Sequence, residues 1–308
     1  MDLSVVIPVR DEAENISDLV TRLTRTLVDL RISYEILFVT DINKDDTFEL
    51  IKQIHNQDGR VKVIKLSNAY GQHIAVICGL RLCSGDAVVV MDGDLQDYPE
   101  DIPKLYSKIL EGYDIVYALK EKKNVSLFRN LFSKMFVRMM NMISDVRIEH
   151  NTSMFRIISR RTIEEILRFK EKQPSLTFIM SYIGFKSIAV KVASGERKGG
   201  KTKYSYFRLL NFGITSLVSF STKPIRLISI IGFCVAGLNF VYLCMTLIQK
   251  IFFDIGVLGW TTIISLITFI GGIQLFVIGI IGEYIAKIFM ETKERPLYIV
   301  DQKVGDLK

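Results

Sequence analysis

The chain has 308 residues, a formal net charge of +7 and 49% hydrophobic residues, with a mean hydropathy of +0.28. That hydropathy is high for a purely soluble domain of this length and points to a membrane portion. Much of the excess positive charge lies beside the apolar C-terminal stretches, where membrane topology already accounts for it, so the charge does not argue for nucleic-acid binding.

The N-terminus, MDLSVVIPV, has no basic n-region, no apolar h-region and no small-residue cleavage site, so the amino-terminal part is expected in the cytosol. Short apolar runs then alternate with amphipathic helical patterns. Strands are predicted at 3–9, 34–40, 61–67 and 87–92, and helices at 15–30, 46–56 and 72–83. The strands are continuously apolar rather than alternating, which requires a sheet covered on both faces, hence an α/β fold with a mostly parallel sheet. Ligands of such sheets collect at the carboxyl ends of the strands. Further on, a helix is expected at 102–111, a strand at 113–119, a basic amphipathic stretch at 127–143, a helix at about 160–170 and a strand at 187–193. Four cysteines, Cys78, Cys83, Cys234 and Cys244, lack CxxC spacing and read as buried thiols.

The stretch VVVMDGDLQDYPE, 88–100, ends a buried strand on Asp92, Asp94 and Asp97. Buried carboxylates are costly unless paired or bound to a metal. Two side chains separated by one residue in extended backbone point the same way, so Asp92 and Asp94 can share one hard divalent cation. Mg²⁺ or Mn²⁺ suits oxygen ligands and completes its octahedron with substrate phosphates and water. Gly93 between them leaves the backbone open to a ligand. D-x-D by itself recurs in many loops, and the strand before it and LQDYPE after it give the pattern its meaning.

No charged residue lies between Arg226 and Lys250, nor between Asp254 and Glu283. Each gap exceeds the roughly 20 residues that a helix needs to cross a bilayer. Two spans are expected, at about 227–249 and 256–282. Arg197, Lys198, Lys201, Lys203, Arg208, Lys223 and Arg226 precede them and Lys287, Lys293 and Arg295 follow, which sets both ends in the cytoplasm. The stretch 204–223 fits an interfacial helix lying on the bilayer; a further core helix is the alternative. Gly271, Gly272, Gly279 and Gly282 include small-residue spacings that suit helix packing in a homo-oligomer, and equally suit a lone membrane helix.

Taken in order, SVVIPVRDEAENI, YEILFVTDINKDDT, GDAVVVMDGDLQDYPE, RKGGKTKY, SFSTKPIRL and two spans resemble the polyisoprenyl-phosphate glycosyltransferases of family 2, which have a GT-A fold. The resemblance implies a cytosolic GT-A domain at 1–203, an interfacial helix at 204–223, a transmembrane hairpin at 224–290 and a cytosolic tail at 291–308. It implies an inverting enzyme of the bacterial inner membrane that moves a sugar from a nucleotide donor, expected to be a UDP-sugar, to a polyprenyl phosphate such as undecaprenyl phosphate. Pro8, Arg10, Glu12, Val39 and Asp41 would line the nucleotide pocket with Asp92 and Gly93. Asp92, Asp94 and Gln96 would hold the metal and the diphosphate. Arg197, Lys201 and Lys203 would clamp the lipid phosphate, and Lys120 stands where the family tends to carry an arginine. Lys and Arg are not equivalent at a phosphate fork.

A lipid phosphate is mostly dianionic at neutral pH and needs no general base. That agrees with only three histidines. His55 reads as a surface residue; His73 caps a helix or approaches the donor; His150 either lines the acceptor side or does not. The family's usual Asp-Asp-Gly-Ser is here Thr40-Asp41-Ile42-Asn43, the Arg-Asn pair before Tyr70-Gly71 is missing, and Met154 replaces an aspartate before Phe-Arg. Two other readings are a silent GT-A membrane scaffold and a family 2 transferase with a different acceptor. The intact metal motif argues against the first, and the lack of extra spans and of a Q-x-x-R-W motif argues against a processive synthase.

Overall fold

The computed structural model describes residues 1–120, 154–172, 174–193 and 259–307, with scattered helical positions between 230 and 252. The expected alternation is present. Strands β1 (Leu3–Val9), β2 (Tyr34–Thr40), β3 (Val61–Leu66) and β4 (Ala87–Val90) alternate with helices α1 (Ala13–Asp29), α2 (Thr47–Gln57) and α3 (Gln72–Leu82). A 3₁₀ turn at Pro99–Asp101 leads into α4 (Ile102–Leu110), followed by β5 (Ile115–Lys120). The remaining elements are β6 (Arg156–Ser159), α5 (Arg160–Ile166), α6 (Leu176–Ile183), β7 (Ser187–Val192), α7 (Trp260–Thr292) and β8 (Val300–Val304).

The eight strands form one sheet in the order β7-β5-β6-β4-β1-β2-β3-β8. β1 pairs in parallel with β2 and β4, β2 with β3, and β5 with β7. All seven residues of β2 are buried, as are all four of β4. This is the two-sided burial that their unbroken apolar composition requires. One core cluster packs α1 and α4 on one face; the other packs α3, α5 and α6 on the opposite face. At roughly 1.5–3 kcal/mol per fully buried aliphatic side chain, these two layers are the main source of the sheet's stability.

Three elements differ from the sequence reading, which has no helix where α6 (Leu176–Ile183) forms. β6 runs antiparallel between β4 and β5; its four residues are too short a run for periodicity to reveal. The segment 291–308, expected as a cytosolic tail with no element assigned to it, supplies β8, which pairs antiparallel with β3 and closes that edge of the sheet. Arg295 onward therefore belongs to the same compact unit as the sheet.

The second unit contains α7, whose 33 residues span about 50 Å at 1.5 Å per residue. Its stretch Phe269–Thr292 has a mean hydropathy of 1.8, and among the described residues it is the one helix long and apolar enough to cross a membrane. The helix continues past residue 282, where the second span was expected to end. The stretch 204–223 lies outside the described residues, as does much of the first expected span. Cys78 and Cys83 are buried as anticipated, whereas Cys234 is exposed.

Candidate active site

β1 is the switch point of the sheet: β2 and β3 lie on one side of it and β4 and β6 on the other. Open α/β sheets bind ligands in the crevice at that point. β4 pairs with β1 only from Leu3↔Ala87 to Val6↔Val90. The chain then turns away, so Pro8, level with Val39 on β2, faces no partner on the β4 side. A proline in a central strand costs no ladder bond at such a place. The switch point thus lies at the carboxyl ends of β1, β2 and β4.

That loop is fixed by its own carboxylates. Asp97, fully buried, accepts from the Asp92 backbone N–H at 3.1 Å, and Asp94 Oδ1 accepts from the Gln96 backbone N–H at 3.1 Å. Leu95 between them has φ 59°, a left-handed conformation that costs a branched residue of the order of 1–3 kcal/mol. The two hydrogen bonds hold it there. Glu100 receives two hydrogen bonds from Arg22 of α1, at 2.8 and 2.7 Å, which anchors the end of the motif away from the crevice.

Gly93 has a different role from the one its sequence context suggested. A Cβ on Gly93 would lie 2.6 Å from Val9 Cγ1. The missing side chain therefore lets the aspartate loop close onto the end of β1, and the space it leaves belongs to the protein core.

Asp92 and Asp94 are both half-buried. The Asp92 carboxyl is pushed up to about 6, by burial first and then by the neighbouring Asp97 and Asp94, with Lys120 and Arg156 pulling the other way. Lys120, at the end of β5, does reach the motif: its Nζ lies 2.6 Å from Asp97 Oδ1. Arg156 of β6 is 1% exposed, lies over the Tyr117 ring at 5.5 Å to the centroid, and donates to the Met154 carbonyl at 3.1 Å. Burial pulls its pKa down to about 10, and Tyr117, Asp92 and Asp97 favour the charged form. Gln72, first residue of α3, donates its amide to Asp92 Oδ1. His73 beside it is held below the usual imidazole range by the protein crowding it and by Arg156, although solvent still reaches its ring.

On the other side of β1, Asp41 is 5% exposed. Its Oδ2 accepts from the Gly71 backbone N–H at 3.1 Å, and its Oδ1 is buried without a hydrogen-bond partner. The unusual Thr40 and Asn43 satisfy each other: Asn43 Nδ2 donates to Thr40 Oγ1 at 2.6 Å, and that hydroxyl donates to the Asp41 carbonyl at 3.0 Å. Arg10 is exposed, 3.9 Å from Asp11. Glu12 accepts from Asn15 Nδ2 at 2.5 Å, and its backbone N–H donates to Thr47 at 3.0 Å. Asp11, with φ 56°, accepts from the Lys44 backbone N–H at 2.6 Å. The loops after β1 and β2 are thus laced together around Asp41.

Contacts thus link Asp41 to Asp92 through Gly71 and Gln72, and Lys120 to the loop that carries Asp92, Asp94 and Gln96; Pro8 and Val39 stand level at the ends of β1 and β2, Gly93 packs on Val9, and Arg10 and Glu12 follow β1. Arg197, Lys201, Lys203 and His150 lie outside the described residues. His55 is half-buried, with Nδ1 2.6 Å from the Val61 carbonyl, so it serves the fold more than the surface. Gln72 and Arg156 escaped the sequence reading. Gln72 carried no motif signal; the one sign for Arg156 was a charge inside the short apolar run FRII.

The donor atoms at the β4 end are all oxygens, the set that hard divalent cations prefer. Crowding of Asp92 by two further carboxylates also favours a positive partner. Among the described residues no three His, Cys, Asp or Glu side chains converge into a complete metal cage, so a cation here would take further ligands from a substrate or water.

Residues 4–172 match the family described as glycosyl transferase family 2, and residues 223–288 match the GtrB C-terminal hairpin. The chain is 37% identical to the uncharacterized glycosyltransferase YkcC of Bacillus subtilis, over 98% of this chain and 94% of the relative. It is 34% identical to a prophage bactoprenol glucosyl transferase homolog of Escherichia coli, over 97% and 98% respectively. Among solved structures it resembles glucosyl-3-phosphoglycerate synthase of Mycobacterium tuberculosis in complex with Mn²⁺, UDP and phosphoglyceric acid, with a TM-score of 0.50 at 17% identity, covering 71% of this chain and 78% of the other. That likeness concerns the GT-A fold alone. By its crevice, its sheet and these matches along nearly its whole length, the chain belongs to glycosyl transferase family 2.

Proposed function

We propose that this protein transfers a sugar from a nucleotide-sugar to a polyprenyl phosphate, with inversion at the anomeric carbon. The observation that carries the reading is the pairing, across one switch-point crevice, of a buried Asp41 with an unused carboxylate oxygen and a carboxylate loop at Asp92 and Asp94. The first offers an acceptor to a donor N–H of a nucleoside base. The second suits the diphosphate through a cation. A bactoprenol glucosyl transferase homolog matched from end to end supports the lipid acceptor.

Asp92 and Asp94, with Gln96, would hold Mg²⁺ or Mn²⁺. When bound, such a cation neutralises charge on the departing diphosphate. The chain's own groups do the rest. Lys120, held at the crevice by Asp97, adds a positive charge at the donor end. The lipid phosphate, dianionic above its second pKa of about 6, attacks the anomeric carbon directly; the new carbon–oxygen bond forms as the bond to the nucleoside diphosphate breaks, and no proton needs to be removed. Arg197, Lys201 and Lys203 are assigned to the acceptor phosphate on the strength of the family resemblance. The hairpin expected at 224–290, supported by the match at 223–288 and by α7, would keep the catalytic unit at the cytoplasmic face of the bacterial inner membrane, with the chain as a homo-oligomer in one arrangement of its glycine-bearing helices.

The test is transfer of labelled sugar from a panel of UDP- and GDP-sugars into organic-extractable lipid by the purified full-length protein with undecaprenyl phosphate and Mn²⁺ or Mg²⁺. Metal-dependent labelled lipid from one donor, reduced at least about 100-fold by Asp94→Ala, is expected. A folded preparation that labels no lipid with any donor would sink the proposal.

A further inference from the structure

The loop Ser67–Gln72 touches both halves of the crevice. Its Gly71 N–H donates to Asp41, and the Gln72 amide donates to Asp92. Gly71 has φ 90°, a conformation that glycine adopts without steric cost. The loop has short-range hydrogen bonds of its own, between the Ser67 and Tyr70 hydroxyls at 3.2 Å and from the Tyr70 N–H to the Asn68 carbonyl at 3.1 Å, and further contacts come from the C-terminal segment. The Ser67 N–H donates to the Ile299 carbonyl at 2.9 Å. Leu66, the residue before the loop, pairs with Val300 just where the β3–β8 register shifts. Lys65 forms an ion pair with Asp301 at 3.6 Å. Leu297, Tyr298 and Val300 pack against the same core cluster as Tyr70 of the loop. The Tyr298 hydroxyl also neighbours Cys78 and Arg81, both on α3, the helix that Gln72 begins.

We propose that the C-terminal strand is a positioning element of the donor site: by holding the Ser67–Gln72 loop and the start of α3 from the sheet edge, it sets the orientation of Asp41 and Asp92. The proposal rests on the reading of that crevice as the nucleotide-sugar site. Neither β8 nor Tyr298 touches the crevice carboxylates; both act through the loop. A positioning group of this kind commonly changes affinity by roughly 10-fold or more when removed, because the groups that meet the ligand lose their alignment. Two features distinguish this from a merely structural role. The effect falls on nucleotide binding, and it travels with the mobility of 67–72.

The experiment measures UDP and GDP binding, each with Mn²⁺, by calorimetry on the full-length protein and on two full-length variants. Gln302→Pro combined with Lys303→Pro removes a ladder donor from β8, because the N–H groups of adjacent residues face opposite sides and one of the two must face β3. Tyr298→Phe keeps the ladder and removes only the hydroxyl. Hydrogen exchange over 67–72 and the melting temperature are followed in parallel. The double-proline variant is expected to bind the nucleotide roughly 10-fold more weakly with faster exchange over 67–72, and Tyr298→Phe to show a smaller loss of the same kind. A double-proline variant with faster exchange and unchanged nucleotide affinity overturns the inference. Should that variant not fold, Tyr298→Phe decides, and a wild-type affinity there overturns it. Wild-type protein that binds neither nucleotide removes the donor-site reading and this inference with it; wild-type binding beside unchanged variants removes the inference alone.

Discussion

At the scale of single residues, the crevice is built by groups that serve the fold and the site together. Asp97 is the clearest case: its carboxylate holds the Asp92 backbone and Lys120 at once, so the third aspartate of the motif organises the other two. Lys120 is 28% exposed and Asp97 0%, so loss of the lysine would strand a buried charge, whereas loss of the aspartate would leave a cation that water can reach. Gly93 gives a sharper test, because its close neighbour is a single methyl group of Val9. Gly93→Ala is expected to destabilise by about 1–3 kcal/mol through overpacking. Adding Val9→Ala should relieve most of that clash, leaving a favourable coupling in a double-mutant cycle read by chemical denaturation. Additive effects of the two substitutions would mean that the contact is not what excludes a side chain at 93.

At the scale of elements, the centre of the sheet is joined by a buried polar knot. Glu35 of β2 accepts from Ser4 of β1 at 2.6 Å, from Lys62 of β3 at 2.8 Å and from the Ser84 backbone N–H at 2.6 Å. Burial alone would raise its carboxyl, but the hydrogen bonds from Lys62, Ser4 and Ser84 outweigh it and leave the pKa lowered. A lowered folded-state pKa means stability that is present above the unfolded value of about 4.3 and is lost as pH falls through the folded value. The wild type should therefore lose stability on acidification below about pH 4.3 more steeply than Glu35→Gln. Parallel pH–stability curves for the two proteins would show that the knot does not bind protons on unfolding. The same logic of edge and centre explains β8: β3 would otherwise end the sheet with unpaired backbone groups, and the returning chain covers them.

At the scale of the molecule, the sheet and the apolar helix α7 belong to separate compact units, and the chain runs from α7 into β8 through residues 293–299. The proposed topology sets the turn near residue 254 on the outer side and the tail inside. A cysteine introduced by Asp254→Cys should react with a membrane-impermeant maleimide added to intact cells stripped of the outer membrane, while one introduced by Lys293→Cys should react only after lysis. Labelling of both from the same side would exclude the two-span hairpin.

The continuous apolar strands could be read from the sequence because both faces of a parallel sheet are buried, which leaves no polar alternation to confuse the period. The D-x-D loop was legible for a related reason: a charge cluster directly after a buried strand has few structural explanations. The apolar stretch of α7 could be read because hydrocarbon demands an uncharged length. Only the tertiary structure decided what depends on residues far apart in the chain. It turned the last residues into an edge strand, inserted FRII antiparallel beside β4, gave Gly93 to Val9 rather than to a ligand, and brought Gln72 and Arg156 to Asp92. Apart from the charge of Arg156 within FRII, none of these has a local signature, since a β3–β8 pairing joins residues more than 200 positions apart and a hydrogen bond across a crevice leaves no period in either segment that makes it.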